Sequence, residues 1–186
     1  LERYVKGKQI KGITKEIPLF SYQKEEVKKW GKNNKSLMFE MATGTGKTRT
    51  AIACIDKLLK SEDRMLVVIS CPQITLSVQW EREIKNLGIS FDEELFADGT
   101  NPGWGDQLKI VLNKLNSKFY KHVVVYTTHI TGCKKEFIDK LKTGIKQTKI
   151  CFVGDEAHGL GAEQTKEGLL SIYKYRIGLS ATPKRW

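Results

Sequence analysis

The sequence predicts an α/β fold, with a mostly parallel sheet flanked by helices on both faces. Three observations carry this reading. Short apolar runs of strand length alternate with amphipathic segments of helix length along most of the chain. Where a helical segment is well framed, Pro stands near its front and Gly at its back, as in "PQITLSVQWEREIKNLG". A glycine-rich stretch, Gly44-Thr45-Gly46, joins an apolar run directly to a helical segment. Such alternation builds βαβ units, whose ligands bind outside the carboxyl ends of the strands.

Residues 1–18 are basic and weakly patterned up to Pro18, and are expected to form an arm or the remnant of a preceding segment. The folded domain is expected over residues 19–186. "SYQKEEVKKWGKNN" is helical, with Ser21 as its expected cap and Val27 and Trp30 as an i, i+3 apolar pair. "SLMFE" is a short buried strand. "KTRTAIACIDKLLK" sets Ala51, Ile52, Ile55, Leu58 and Leu59 at helical spacing. "RMLVVISC", ended by Pro72, is a buried strand, and the helix of "PQITLSVQWEREIKNLG" follows it. Residues 89–105 carry a turn cluster, "DGTNPGWG", and no clear element. "DQLKIVLNKLNSK" is helical, "HVVVYTT" a strand, and "KKEFIDKLKTG" a helix. "KICFVG" is a strand running into "DEAHG". "AEQTKEGLLSIYK" is expected as a helix and "YRIGLSATP" as the last strand.

The net charge of +11 (32 Lys/Arg against 21 Asp/Glu) favours a polyanionic partner, nucleic acid before a membrane surface. Residues 1–35 hold ten basic and four acidic residues, a net +6. The plainer reading of that charge is a solvated surface. The four cysteines form no C-x-x-C pair, and three lie in apolar runs, so neither a disulfide framework nor a zinc site is expected. No apolar run has the roughly 18 residues that cross a bilayer. These features predict a cytoplasmic or nucleoid-associated protein with no membrane partner. The chain begins at Leu1, and we expect it to be a piece of a longer protein.

Chemistry concentrates in two segments. Gly44-Thr45-Gly46-Lys47-Thr48 lies between a strand and a helix, the context of a phosphate-binding loop. Glycines let backbone N–H groups close around a phosphate, and the helix N-terminus adds positive potential. Lys47 would reach the β/γ-phosphates of ATP, and the Thr48 hydroxyl would ligate Mg²⁺. Thr43 and Arg49 flank the loop and complete the expected nucleotide-binding set. The usual pattern has Gly five residues before Gly46, and Met41 stands there instead. The second segment is Asp155-Glu156, directly after the strand "KICFVG". Asp155 would hold the Mg²⁺, and Glu156 would take a proton from an attacking water. Lys47, Asp155 and Glu156 are thus the expected catalytic residues.

"MATGTGKT", "DEAH" and "LSATP", in this order, resemble motifs I, II and III of superfamily 2 helicases and translocases. The first motif of that family reads A-x-x-G-x-G-K-T, without the early Gly; Met41 takes the place of its Ala. The style is most similar to type I and type III restriction translocases and excision-repair helicases. The resemblance implies a RecA-like P-loop domain over residues 19–186, the first of two lobes, with ATP and Mg²⁺ in the cleft between them. It also implies a role for several residues. Gln23 in "LFSYQ" would read the adenine edge, although Phe20 replaces the family's Arg. Pro72 and Gln79 would follow a nucleic-acid strand, with Trp80 beside them as core. Thr127 and Thr128 would contact backbone phosphate. Ser180, Thr182 and His158 would couple the two sites, and Arg185 would be a surface charge. DNA is the favoured partner over RNA, together with a second lobe supplying arginine fingers, and a restriction-enzyme motor subunit is one form such a parent could take. A P-loop kinase or signalling NTPase would show switch loops or an acceptor pocket in place of these motifs. A basic nucleic-acid-binding module with a decayed nucleotide site would not keep Lys47, Thr48, Asp155 and Glu156 together.

Overall fold

The computed structural model describes residues 16–161 and 168–181. Among them, six strands form one sheet: β1 (Ser36–Glu40), β2 (Met65–Cys71), β3 (Glu93–Ala97), β4 (His122–Thr128), β5 (Lys149–Gly154) and β6 (Tyr173–Ser180). Their spatial order is β1-β6-β5-β2-β4-β3, and every pairing is parallel. The helices are α1 (Ser21–Lys32), α2 (Lys47–Ser61), α3 (Ile74–Asn86), α4 (Trp104–Asn116), a short α5 (His129–Gly132) and α6 (Lys135–Gly144).

Pleating divides the apolar strands between two core layers. Val67 and Ile69 of β2 face one layer, where Val27 and Trp30 of α1, Ile52 and Ile55 of α2, and Trp80 and Ile84 of α3 pack. Leu66 and Val68 face the other, against Leu108 and Leu112 of α4 and Phe137 and Leu141 of α6. This is the doubly flanked parallel sheet that the alternating pattern predicts. Buried Cys54, Cys71 and Cys151 lie within the first layer. Burial pushes the Cys151 thiol up to about 12, so it is inert packing at neutral pH.

Three expectations need correction. β3 was hidden in the region read as irregular; its "EELFA" carries two adjacent Glu on an edge strand. Those carboxylates are used there, with Glu93 accepting from Tyr120 Oη at 2.8 Å and Glu94 lying 3.6 Å from Lys85 Nζ. Ser21 does not cap α1. Phe20 occupies the cap position, and its N–H donates to Gln23 Oε1 at 2.9 Å. The helix expected over "AEQTKEGLLSIYK" falls partly on residues 162–167, outside the described residues, and its last two positions, Tyr173 and Lys174, open β6 instead. Of the expected basic arm, residues 1–15 also lie outside the described residues, while Ile17 packs against the core.

Candidate nucleotide site

The carboxyl ends of the strands bring the sequence motifs to one rim of the sheet. β1 runs into the phosphate-binding loop, and β6 lies beside it in register, Glu40 opposite Ser180. Met41 continues this pairing: its N–H donates to Ser180 O at 3.1 Å, and its side chain is buried in the core. A Gly at this position would give up that packing. The loop then turns through Gly44 (φ 81°) and Gly46 (φ 80°), left-handed conformations that only glycine adopts without strain. Gly46 is also the N-cap of α2. Lys47 Nζ donates to Met41 O at 3.0 Å and Ala42 O at 3.4 Å, so the ammonium lies folded over its own loop. Thr45 Oγ1 closes the turn onto Ala42 O at 2.6 Å.

Gln23, expected to read a base edge, lies buried beside the loop. It is 1% exposed, and its Nε2 donates to Thr45 O at 3.1 Å and Gly46 O at 3.3 Å. Since Oε1 accepts from Phe20, the whole amide braces the loop. Nearby Tyr22 also donates its hydroxyl to Thr45 O at 2.9 Å. Phe20 and Tyr22 stack with centroids 5.7 Å apart and planes 10° apart, yet remain 68% and 42% exposed. This open aromatic pair beside the loop was not foreseen. An apolar "LF" ahead of a helix gives no signal of exposure.

At the end of β5, Asp155 N–H donates to Ser70 O at 2.9 Å, which fixes the main chain against β2. Its Oδ1 accepts from Glu156 N–H at 3.0 Å, and its Oδ2 from Trp80 Nε1–H at 2.9 Å. Glu156 sits at φ 48°, in the left-handed region uncommon for a residue with a long side chain. His158, in the 3₁₀ turn Ala157–Gly161, places Nδ1 3.4 Å from Glu156 Oε2 and is largely exposed. Ser180 meets the loop through its carbonyl. Thr182 and Arg185 lie outside the described residues.

The loop and the acidic pair share one cavity of about 340 Å³. Thr43, Gly44, Gly46, Lys47 and Thr48 line one side of it, with Asp155 and Glu156 opposite. Helix α3 closes it with Gln79, Trp80 and Glu83. Gln79 was expected on a nucleic-acid track; it faces this cavity and donates to Glu83 Oε1 at 3.1 Å. Arg49 is exposed on the first turn of α2, and Pro72 is exposed at the end of β2. The Thr48 hydroxyl and Asp155 carboxylate supply hard oxygen donors to the same space, a chemistry that fits Mg²⁺.

The threonines expected to touch phosphate are spent inside the protein. Thr127 is buried, and its hydroxyl donates to Ala97 O at 2.8 Å. Thr128 caps α5, accepting from Thr131 N–H at 3.2 Å and donating to Thr131 Oγ1 at 3.1 Å. The reason is topological. β4 lies between β2 and β3, so Ala97 O of β3 is at hand for the Thr127 hydroxyl, and the first turn of α5 takes that of Thr128. What that segment shows to solvent is Ile130, 71% exposed. His129 points inward, its Nδ1 2.7 Å from Ser70 Oγ.

A profile of the family described as "Type III restriction enzyme, res subunit" matches residues 16–185. Over 183 residues the chain is 29% identical to a protein of African swine fever virus provisionally named an ATP-dependent RNA helicase. That match covers 92% of this chain and 30% of the viral protein. Among solved structures, a nuclease-deletion mutant of the type ISP restriction-modification enzyme LlaGI superposes with a TM-score of 0.67 at 20% identity, over 91% of this chain and 18% of that one. The Sulfolobus solfataricus SWI2/SNF2 ATPase core gives 0.60 at 24% identity, over 90% and 33%. The UvsW helicase of bacteriophage T4 gives 0.62 at 17% identity, over 91% and 54%. These likenesses show the fold, and this chain spans 30% of the viral relative and 18% to 54% of the three solved chains.

Proposed function

Because the chain belongs to the type III restriction enzyme res-subunit family, a RecA-like helicase lobe by its fold, we propose that it is the ATP-binding first lobe of a nucleic-acid translocase or helicase. The observation that carries this is the single cavity shared by the glycine loop and Asp155-Glu156. Glycine loops alone bind many phosphates; an acidic pair across the same space adds the means to use water against one of them. On this reading the domain spans residues 19–186, and the parent acts as a motor, a restriction-enzyme motor subunit being one form of it.

Thr48 and Asp155 would hold Mg²⁺, which would offset the charge of the nucleotide phosphates. The N–H groups of the loop and the α2 N-terminus would receive the phosphates. Lys47 would exchange its bonds to Met41 O and Ala42 O for phosphate oxygens. Glu156 would accept a proton from the attacking water, with His158 alongside it. The Phe20–Tyr22 pair would stack the base, while Gln23 holds the loop beneath it. Ser180 would couple this site to the motor step with Thr182. Arginine fingers from a second lobe would complete hydrolysis, so we expect this lobe alone to turn over ATP slowly.

DNA is the proposed track. LlaGI was solved with a DNA substrate mimic and the SWI2/SNF2 core with double-stranded DNA, and the +11 charge favours such a partner. Binding is expected to be weak and steeply salt-dependent. Among the described residues no helix is long and apolar enough to cross a membrane, and we propose a cytoplasmic or nucleoid-associated setting. The direct test is Mg-ATP affinity in wild type against Lys47→Ala. Equal affinity would remove the nucleotide site, and with it the motor.

A further inference from the structure

Helix α3 sets Ser77, Trp80 and Ile84 on one buried face, at i, i+3 and i+7. Packing alone would be served there by Phe or Leu. Trp adds one polar atom to an otherwise apolar ring, and that atom is a donor with no acceptor capacity. It meets Asp155 Oδ2 at 2.9 Å, where Trp80 is 1% and Asp155 9% exposed. A donor-only group in this position calls for an accepting oxygen, which the Asp155 carboxyl supplies. The second oxygen, Oδ1, receives Glu156 N–H at 3.0 Å. The main chain of Asp155 is pinned to Ser70 O, and Ser70 in turn is held by His129. The carboxylate is therefore fixed in plane as well as in place. Each oxygen accepts one hydrogen bond and keeps a further lone pair, and Asp155 lines the cavity.

We propose that Trp80 is a positioning residue for the metal: its indole N–H orients the Asp155 carboxylate that holds the nucleotide's Mg²⁺, and makes α3 part of the metal site. This rests on the nucleotide-site reading above and goes beyond it. Because Gln79 and Glu83 of the same helix also line the cavity, any shift of α3 is transmitted to the metal through one hydrogen bond. Groups that orient a metal's ligands in this way typically change metal affinity by 10–100-fold when lost.

The test uses the 186-residue chain, a fluorescent ATP analogue and a Mg²⁺ titration. Trp80→Phe keeps an aromatic ring and removes the donor. Its affinity for the analogue without Mg²⁺ should match wild type, while the Mg²⁺ needed to strengthen binding should rise roughly 10–100-fold. An unchanged Mg²⁺ requirement in a folded variant would overturn the proposal. Loss of affinity to the same degree with and without Mg²⁺ would also overturn it, since that is the mark of a general packing defect. If Trp80→Phe does not fold, the Trp80 indole N–H signal of the intact chain decides the matter by NMR. It should shift on adding Mg²⁺ to the nucleotide complex, and a stationary signal counts against the role. Lys47→Ala separates the two readings, because it should weaken nucleotide binding at every Mg²⁺ concentration. A wild-type chain that binds no nucleotide at all would remove both.

Discussion

Replacing Gly46 by Ala tests the architecture of the phosphate-binding loop most directly. Two effects combine at this residue. Its φ of 80° is left-handed, which costs an L-residue about 1–2 kcal/mol. A methyl group there would also run into Gln23 Nε2. To make room, the Gln23 amide must leave Thr45 O and Gly46 O, forfeiting two hydrogen bonds at about 0.5–1.5 kcal/mol each. The expected loss of stability is about 2–5 kcal/mol. Gly88 is a built-in control, with φ 77° and nothing within 4 Å of an added Cβ. Gly88→Ala should therefore show the backbone cost alone, about 1–2 kcal/mol. Urea unfolding followed by far-ultraviolet circular dichroism measures both. Gln23→Ala should cost less in the Gly46→Ala background than in wild type, because the amide has already given up its bonds to Thr45 O and Gly46 O. Equal midpoints for Gly46→Ala and Gly88→Ala would refute the brace.

Other perturbations address the base, the phosphates and the far end of the sheet. Phe20→Ala should weaken ATP binding by about 5- to 150-fold, the range of a lost stacking contact, while leaving inorganic triphosphate unaffected; competition titrations read the difference. Lys47→Ala should leave the melting temperature nearly unchanged, as its two bonds to the loop are one part-buried and one exposed, and lower Mg-ATP affinity at least about tenfold, as calorimetry would show. At the amino ends of the strands, partial burial pushes the Glu62 carboxyl up. Hydrogen bonds from Lys149 and Tyr175 and the charges of Lys149 and Lys35 outweigh it and hold the group below its ordinary 4.5. The unfolded chain then binds the proton more tightly, so this contribution to stability is complete above about pH 4.5 and disappears as pH falls through the folded value. Glu62→Gln should flatten that acid limb in pH-resolved unfolding, and an unaltered limb would exclude the cluster as its source.

The readable parts of this chain are those whose chemistry is local. The loop from Gly44 to Thr48 and the pair Asp155-Glu156 declare themselves because backbone approach, helix N-terminus and charge arise within a few residues of one another. Met41, which departs from the usual pattern, was legible as a variant form but not as a buried core residue paired with Ser180. Trp80, Gln23 and Thr127 show where such reading stops. Trp80 meets Asp155 across 75 positions, Gln23 meets Thr45 across 22, and Thr127 meets Ala97 across 30. Gln23 and Thr127 have plausible outward roles in the sequence and Trp80 a plain core one, and each is claimed by a partner that only the fold brings near. β3 was missed for a related reason. Its two glutamates spoil the apolar signal, and their partners Tyr120, Tyr126 and Lys85 come from elements that precede or follow it.

The sheet order also fixes a schedule. β1 carries the phosphate-binding loop, yet among the described residues its strand neighbour is β6, and Trp30 of α1 reaches across 146 residues to Arg176 O. On a ribosome adding ~5–20 residues per second, the loop emerges about 7–30 s before the strand that anchors it. β2, β4 and β5 can assemble in that interval as a sheet of their own, with Ser70 already opposite Thr127 and Gly154. The glycine loop is thus made early and seated late, gaining its anchor only when β6 pairs along β1.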